Sequence, residues 1–350
     1  MKITISIACL IWATAMACAQ DNETSGSCGE NLTWELSGTT IHISGSGAMT
    51  NFTTRYMGPP EDEVEDVSKL TERQKAKIRK KQFKAKAKAK KKGYIDDDIE
   101  HLIPWYNFNK FVTTIVVDEG VTTIGDNAFK GFKELSTLVL PQSIETIGRE
   151  AFYWCVKLDS VSLPNATTIS LGAFSGCYCL KSVSLGQKIT TIEKSAFYQC
   201  RGLRKVNYGG SVSDWFVIDF QSENSNPLKY AGKLFIDNQL VTEINVPDTM
   251  AVVPAYVCIG MTSLKTLRLH EGVTSIGPHS FDGCRALNTI VARPPEPPLL
   301  ERYAFLNTDI HYVYLPTADS KDSYQSAWGK RYTYYINKLG QKDEDADNEK

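Results

Sequence analysis

The chain has 350 residues, 39 Lys or Arg against 40 Asp or Glu, a formal net charge of -1 and nine cysteines. This length supports a sizeable core or a stack of smaller ones, and cysteines this sparse exclude the dense framework of a small disulfide-stapled domain. Beyond the first residues no run approaches the ~20 apolar residues that span a bilayer, which excludes retention by a transmembrane helix.

At the amino terminus, Lys2 precedes an apolar run from Ile3 to Ala13, and Ala17-Cys18-Ala19 before Gln20 fits a signal-peptidase site with small residues at both recognition positions. Residues 1–19 are therefore read as a signal peptide and the mature chain as starting near Gln20. Lipid attachment at Cys18 is disfavoured because Ala15-Met16-Ala17 lacks the usual Leu three residues before the cysteine.

The small net charge conceals a split. Between Lys69 and Lys92 stand 13 Lys or Arg and one acid, Glu72; removing them leaves 26 basic against 39 acidic residues, a net of -13 elsewhere. The segment from Glu61 to Lys92 is rich in Ala, Lys, Arg and Glu, all good helix formers, but has basic groups all round and so suits no core. It is expected to project as a helical arm or to stay partly disordered. Lys84, Lys86 and Lys88 are its candidate polyanion-binding residues, although a lysine-rich run needs no partner to be soluble, and a solvated insertion is the plainer reading. Phe83 is its one aromatic residue, so a stacking platform for single strands, and with it specific nucleic-acid recognition, is unsupported.

From residue 112 the chain repeats. Phe129, Phe152, Phe174 and Phe197 are spaced 23, 22 and 23 apart, and Phe281 restores the pattern later. Each has an isoleucine five residues before it (Ile124, Ile147, Ile169, Ile192, Ile276) and a leucine six after it (Leu135, Leu158, Leu180, Leu203, Leu287). After each leucine the chain alternates, as in "LSTLVL" and "LKSVSL", which predicts a short strand with one side-chain set inward; the stretch around Phe is at most a tight turn or a helical turn. One such coil cannot bury its own apolar row but its neighbours can, so the period predicts an elongated solenoid with a parallel sheet on one side.

Cys155, Cys177, Cys200 and Cys284 each stand three residues after the Phe and would form one column. The same slot holds Phe132 in the first coil and Met261 in the coil of Leu264, an interchange that points to small buried hydrophobes rather than thiolate chemistry, a disulfide or metal ligation. Cys258, five after Val253 and six before Leu264, falls in the Phe slot itself. Removal of the leader leaves seven cysteines, an odd number that rules out complete intramolecular pairing.

These residues resemble the BspA-like leucine-rich repeat family of exported and surface proteins of Bacteroidetes; "VTTIGDNAFKGFKELSTLVLP" and "VTSIGPHSFDGCRALNTI" carry the family coil, and the likeness covers most of residues 112 to 316. "NPLKYAGKLFIDNQLVTEINVP" (226–247) looks like the family's longer variant coil, from which a small hairpin extends. "CGENLTWELSGTTIHISGSGAM" (28–49), followed at a distance by "IPWYNF", resembles its amino-terminal cap, and "YVYLPTADSKDSYQSAWGK" (312–330) its terminal strand and closing helix. The resemblance implies an α/β-type repeat solenoid with short parallel strands, a β-containing N-terminal cap and a C-terminal closing helix. The segments are then a cap over 20–110 with the charged insertion 61–92, a solenoid over 111–316 including the variant coil 208–247, a C-terminal cap over 317–338 and a disordered tail over 339–350. The basic insertion departs from the family pattern.

Nothing in the sequence builds an active site. The five histidines, His42, His101, His270, His279 and His311, form no close metal-binding pair, no glycine loop cradles phosphate, and no serine sits in a nucleophile elbow. Carboxylates at Asp118, Glu119, Glu145, Glu193 and Glu271, and the run Asp96 to Asp98, read as solvated edges rather than as a Ca²⁺ ladder, which needs several oxygens in one loop. No catalytic residue, metal or cofactor is expected. The candidate binding residues are those facing outward from the strands: Thr137, Val139, Ser160, Ser162, Ser182, Ser184, Lys205, Asn207, Thr266 and Arg268. The expected function is non-enzymatic adhesion or protein recognition toward a host or surface protein, with mucin or anionic glycan as further partners, at the cell surface or outside the cell, the periplasm being the alternative. A structural scaffold of the envelope is the competing class.

Overall fold

The computed structural model describes residues 24–52 and 103–329, and the backbone strand Ile336–Lys338. The leader, the basic insertion with Lys84, Lys86 and Lys88, the run Asp96 to Asp98 and the tail lie outside the described residues.

Each regular coil contributes two strands to two ladders. The longer strands follow the Leu slot, as in Ser160–Leu163, Ser182–Leu185 and Lys205–Tyr208, which pair in parallel and in strict register. Their alternation is what the sequence pattern dictates: Val161, Val183 and Val206 are buried while Ser160, Ser182 and Lys205 point away. The second ladder was not anticipated. Two-residue Thr-Ile strands, Thr146–Ile147, Thr168–Ile169 and Thr191–Ile192, pair in parallel just before the Phe turn. The isoleucine five residues before each Phe is therefore a strand residue, fully buried in every coil. Two β-branched residues suffice because neighbouring coils supply the hydrogen-bond partners.

Between the ladders the Phe turns stack. Phe129, Phe152, Phe174 and Phe197 lie with ring centroids 5.5, 5.3 and 5.6 Å apart and planes within 17° of parallel. The stack continues outward onto Trp105 (5.3 Å, 16°), whose indole N–H donates to the Ala128 carbonyl at 2.7 Å. Trp34 meets Trp105 edge-on at 5.5 Å. It is carried by the antiparallel meander Ser25–Gly29, Leu32–Ser37 and Thr40–Gly45, which joins the longer ladder through parallel pairing with Thr114–Val117. The cap thus covers the apolar end face that a first coil leaves open.

At the other end Phe281 stacks on Phe305 (5.4 Å, 15°), a coil that the sequence reading left out, and Phe305 meets Trp328 of the helix Ser320–Trp328. Tyr324 and Trp328 anchor that helix by donating to the Pro294 and Pro298 carbonyls, each at 2.8 Å. The aromatic stretch Tyr332 to Ile336, which the sequence suggests covers the last coil together with Trp328, lies outside the described residues apart from the backbone of Ile336.

The stack breaks between Phe197 and Phe281. Two short helices, Val212–Phe216 and Leu228–Ala231, enlarge the coil there; the first is fixed by a reciprocal Ser211 and Asp214 capping box. Cys258, fully buried, takes the Phe slot of its coil, and Leu228 is fully buried in the enlarged one. A hairpin, Leu234–Ile236 with Gln239–Leu240, closes on Asp237 and Asn238, both at positive φ (49° and 61°), the two-residue turn that matches strand twist. This hairpin is the extension that the resemblance implied. It ends one stretch of the longer ladder, and a new one starts at Glu243–Asn245.

A candidate recognition face

The cysteine column is buried. The thiols of Cys155, Cys177 and Cys200 donate to the carbonyls of Phe129, Phe152 and Phe174 in the preceding coil, at 3.2, 3.2 and 3.1 Å, and Cys284 does the same to Cys258 at 3.1 Å. Each of the three Phe carbonyls also accepts the backbone N–H three residues on, within its own turn. Burial pushes these thiols far up from the ordinary value of 9.0, the opposite of what a nucleophile or metal ligand needs. The seven described cysteines are free, and Cys179 is the exposed one.

Three of the carboxylates expected at solvated edges, Asp118, Glu119 and Glu193, are hydrogen-bonded to other segments of the chain. Glu119 accepts the backbone N–H groups of Gln142 and Ser143, Glu193 that of Leu171, and Asp118 the Ser44 hydroxyl. His279 pairs with Asp282 at 2.9 Å and stacks on Tyr256. Among the described residues no cluster of three or more His, Cys, Asp or Glu side chains is placed to hold a metal ion.

The outward residues divide into three groups because the longer ladder is interrupted twice. Thr137 and Val139 pair with Thr114 and Val116 in the first stretch. The central stretch aligns Ser160, Ser182 and Lys205 in one row and Ser162, Ser184 and Asn207 in the next. Thr266 and Arg268 belong to the last stretch, where their rows continue through Thr289 and Val291 to Tyr312 and Tyr314. Arg268 is held by Glu243 at 2.7 Å. The structure therefore brings six of the ten residues together and sets two on either side.

A groove of about 500 Å³ opens where the central stretch meets the variant hairpin. Ser162, Ser184 and Asn207 form one side, and Phe235, next to Asn207 in register, extends the same row onto the hairpin. Asn165 and Gln187, from the loops that follow two of the strands, and the turn residues Asp237 and Asn238 also line it. Gly186 and Pro164 line it where the backbone is close-packed: a Cβ at Gly186 would fall 1.7 Å from the Pro164 carbonyl oxygen. The strand alternation revealed the serines and Asn207, whereas Phe235, Asn165 and Gln187 were missed. Asp237-Asn238 between two alternating runs was the available signal for a hairpin wall.

The model of the BspA type leucine-rich repeat region matches in six copies over residues 103–225 and 230–328. The chain belongs to the BspA-type leucine-rich repeat family. No curated protein matches it. Among solved structures, a leucine-rich repeat protein from Eubacterium ventriosum is 17% identical, with 85% of this chain and 79% of that one covered at a TM-score of 0.39. A leucine rich cell surface protein from Faecalibacterium prausnitzii is also 17% identical, covering 93% and 97% at 0.31. The leucine rich repeat protein of T. pallidum is 14% identical, covering 89% and 97% at 0.25. Likeness at these scores lends nothing to what this BspA-type chain binds. No helix among the described residues is long and apolar enough to cross a membrane.

Proposed function

We propose that this BspA-type chain is an exported, non-enzymatic recognition protein that docks a host or surface protein on its strand face, at the cell surface or outside the cell. The observation that carries the reading is the central stretch of the ladder. Three strands in strict register hold Ser160, Ser162, Ser182, Ser184, Lys205 and Asn207 outward, over fully or nearly buried Val161, Leu163, Val183, Leu185, Val206 and Tyr208. Such a surface is pre-organised, so little side-chain entropy is lost on docking, and its short side chains let a large partner approach without a deep pocket. The buried thiols and the carboxylates bound to backbone N–H groups support a role without catalysis. Export rests on the leader-like first 19 residues.

The test is binding of residues 20–350 to an array of host matrix proteins, mucins and anionic glycans at two salt concentrations, beside a variant lacking 61–92. A selective hit that survives the deletion supports the strand face. The charge split favours a second reading, polyanion binding through Lys84, Lys86 and Lys88, for which the hit disappears with the segment and weakens with salt. Retention only within a multiprotein envelope complex, with no hit on the array, favours a scaffold.

A further inference from the structure

We propose that the groove beside the variant hairpin is a binding site for a neutral saccharide. Its volume, about 500 Å³, lies within the range of small-ligand sites. The polar groups around it are amides and hydroxyls, and its charged side chains, Lys188 and Asp237, are one of each sign, so a strongly charged ligand finds no matching field.

Three of the four lining amide side chains have their NH₂ groups committed. Asn165 commits its NH₂ to the Gln142 carbonyl and side-chain oxygen at 3.0 and 3.1 Å, Gln187 to Asp214 at 3.2 Å, and Asn207 to the Ser184 hydroxyl at 3.1 Å. Among the described residues their amide oxygens take no partner, which leaves three acceptors for a ligand rich in donors. Ser184, accepting from Asn207, keeps its own hydroxyl proton to donate. Vicinal hydroxyls of a sugar ring supply donors at this density without carrying charge. Half-buried Phe235 continues the Ser162, Ser184 and Asn207 row and offers an apolar flank for the C–H face of a pyranose ring. Parallel strands about 4.8 Å apart make that row about 14 Å long, which suits a short oligosaccharide rather than a single ring.

This inference goes beyond protein recognition, and although it shares three residues with the strand face it is tested separately. Residues 20–350 are titrated with a panel of free neutral gluco-, galacto-, manno- and N-acetylhexosamine oligosaccharides, read by saturation-transfer NMR and calorimetry. Phe235→Ala and Asn207→Leu are compared with Thr266→Ala, which lies on the last stretch of the ladder, and thermal unfolding confirms that each variant folds. Ser184→Tyr, which fills the groove from an outward position, serves if either of the first two does not fold. The expected result is saturable binding to at least one neutral oligosaccharide, weakened at least tenfold by Phe235→Ala and Asn207→Leu or blocked by Ser184→Tyr, and unchanged in Thr266→Ala. Absence of binding across the panel, binding confined to sulfated or sialylated controls, or binding indifferent to the groove variants would overturn it. Protein binding that persists while every sugar fails rejects the groove site and leaves the strand-face reading standing; the converse separates them the other way.

Discussion

At the residue scale, the repeated cysteine solves a hydrogen-bonding problem of stacked turns. The Phe carbonyl closes its own turn and still has a second lone pair facing the next coil, and a thiol fills that space as a small hydrophobe while donating weakly to it. Thiol titration with Ellman's reagent on residues 20–350 is expected to count one reactive cysteine in the native protein, Cys179, and six more after denaturation; paired thiols would reduce the second number. Burial also fixes a pH dependence. The column thiols and Cys258 are raised above the ordinary 9.0, so the unfolded chain ionises them first as pH rises and their contribution to stability is lost above about pH 9. Each thiol steepens that loss by about 1.4 kcal/mol per pH unit. Alkaline denaturation of the Cys155→Ala/Cys177→Ala/Cys200→Ala variant should therefore show a shallower slope than the parent. Removal of a ring from mid-stack, Phe174→Ala, should cost about 3–5 kcal/mol in urea unfolding.

At the scale of the element, the coil was legible because the same residue types recur at a fixed offset. The Ile, Phe, Cys and Leu slots that the sequence marks are all buried. The two-residue strands were not legible, since their pairing comes entirely from neighbouring coils and leaves no alternation to read. The enlarged coil was not legible for a different reason: two short helices and a hairpin lengthen the spacing, so the period breaks there. Turn geometry was also hidden. Two residues before each Phe the backbone turns left-handed, at Asn127, Glu150, Ser195 and His279 among others, where a side chain costs about 1–2 kcal/mol. Ser195→Gly should accordingly raise stability by about 0.5 kcal/mol, the strain relieved less the extra chain entropy, visible as a small increase in melting temperature. At Gly186, which lines the groove, the sign reverses. Gly186→Ala drives a methyl into the Pro164 carbonyl and should destabilise by roughly 2–3 kcal/mol, lowering the melting temperature.

At the scale of the whole molecule, the aromatic row meets a tryptophan at each end, Trp105 against Phe129 and Trp328 against Phe305. What remains open is the ladder of longer strands, interrupted into three stretches, with the variant hairpin beside the central one. Sequence alternation placed the serines of that stretch outward, but their division into three groups depends on where coils pair and could not be read from any single coil. The measurement that tests the account most directly places two bulky charges on the central stretch, Ser160→Arg with Ser182→Arg, neither of which lines the groove. Binding of this variant and of unsubstituted residues 20–350 is then measured on the same array of matrix proteins and mucins, with unfolding curves to show that both are folded. The account predicts that any selective protein hit weakens at least tenfold in the variant while the melting temperature is unchanged. A hit of undiminished affinity would contradict it and move recognition off the strand face.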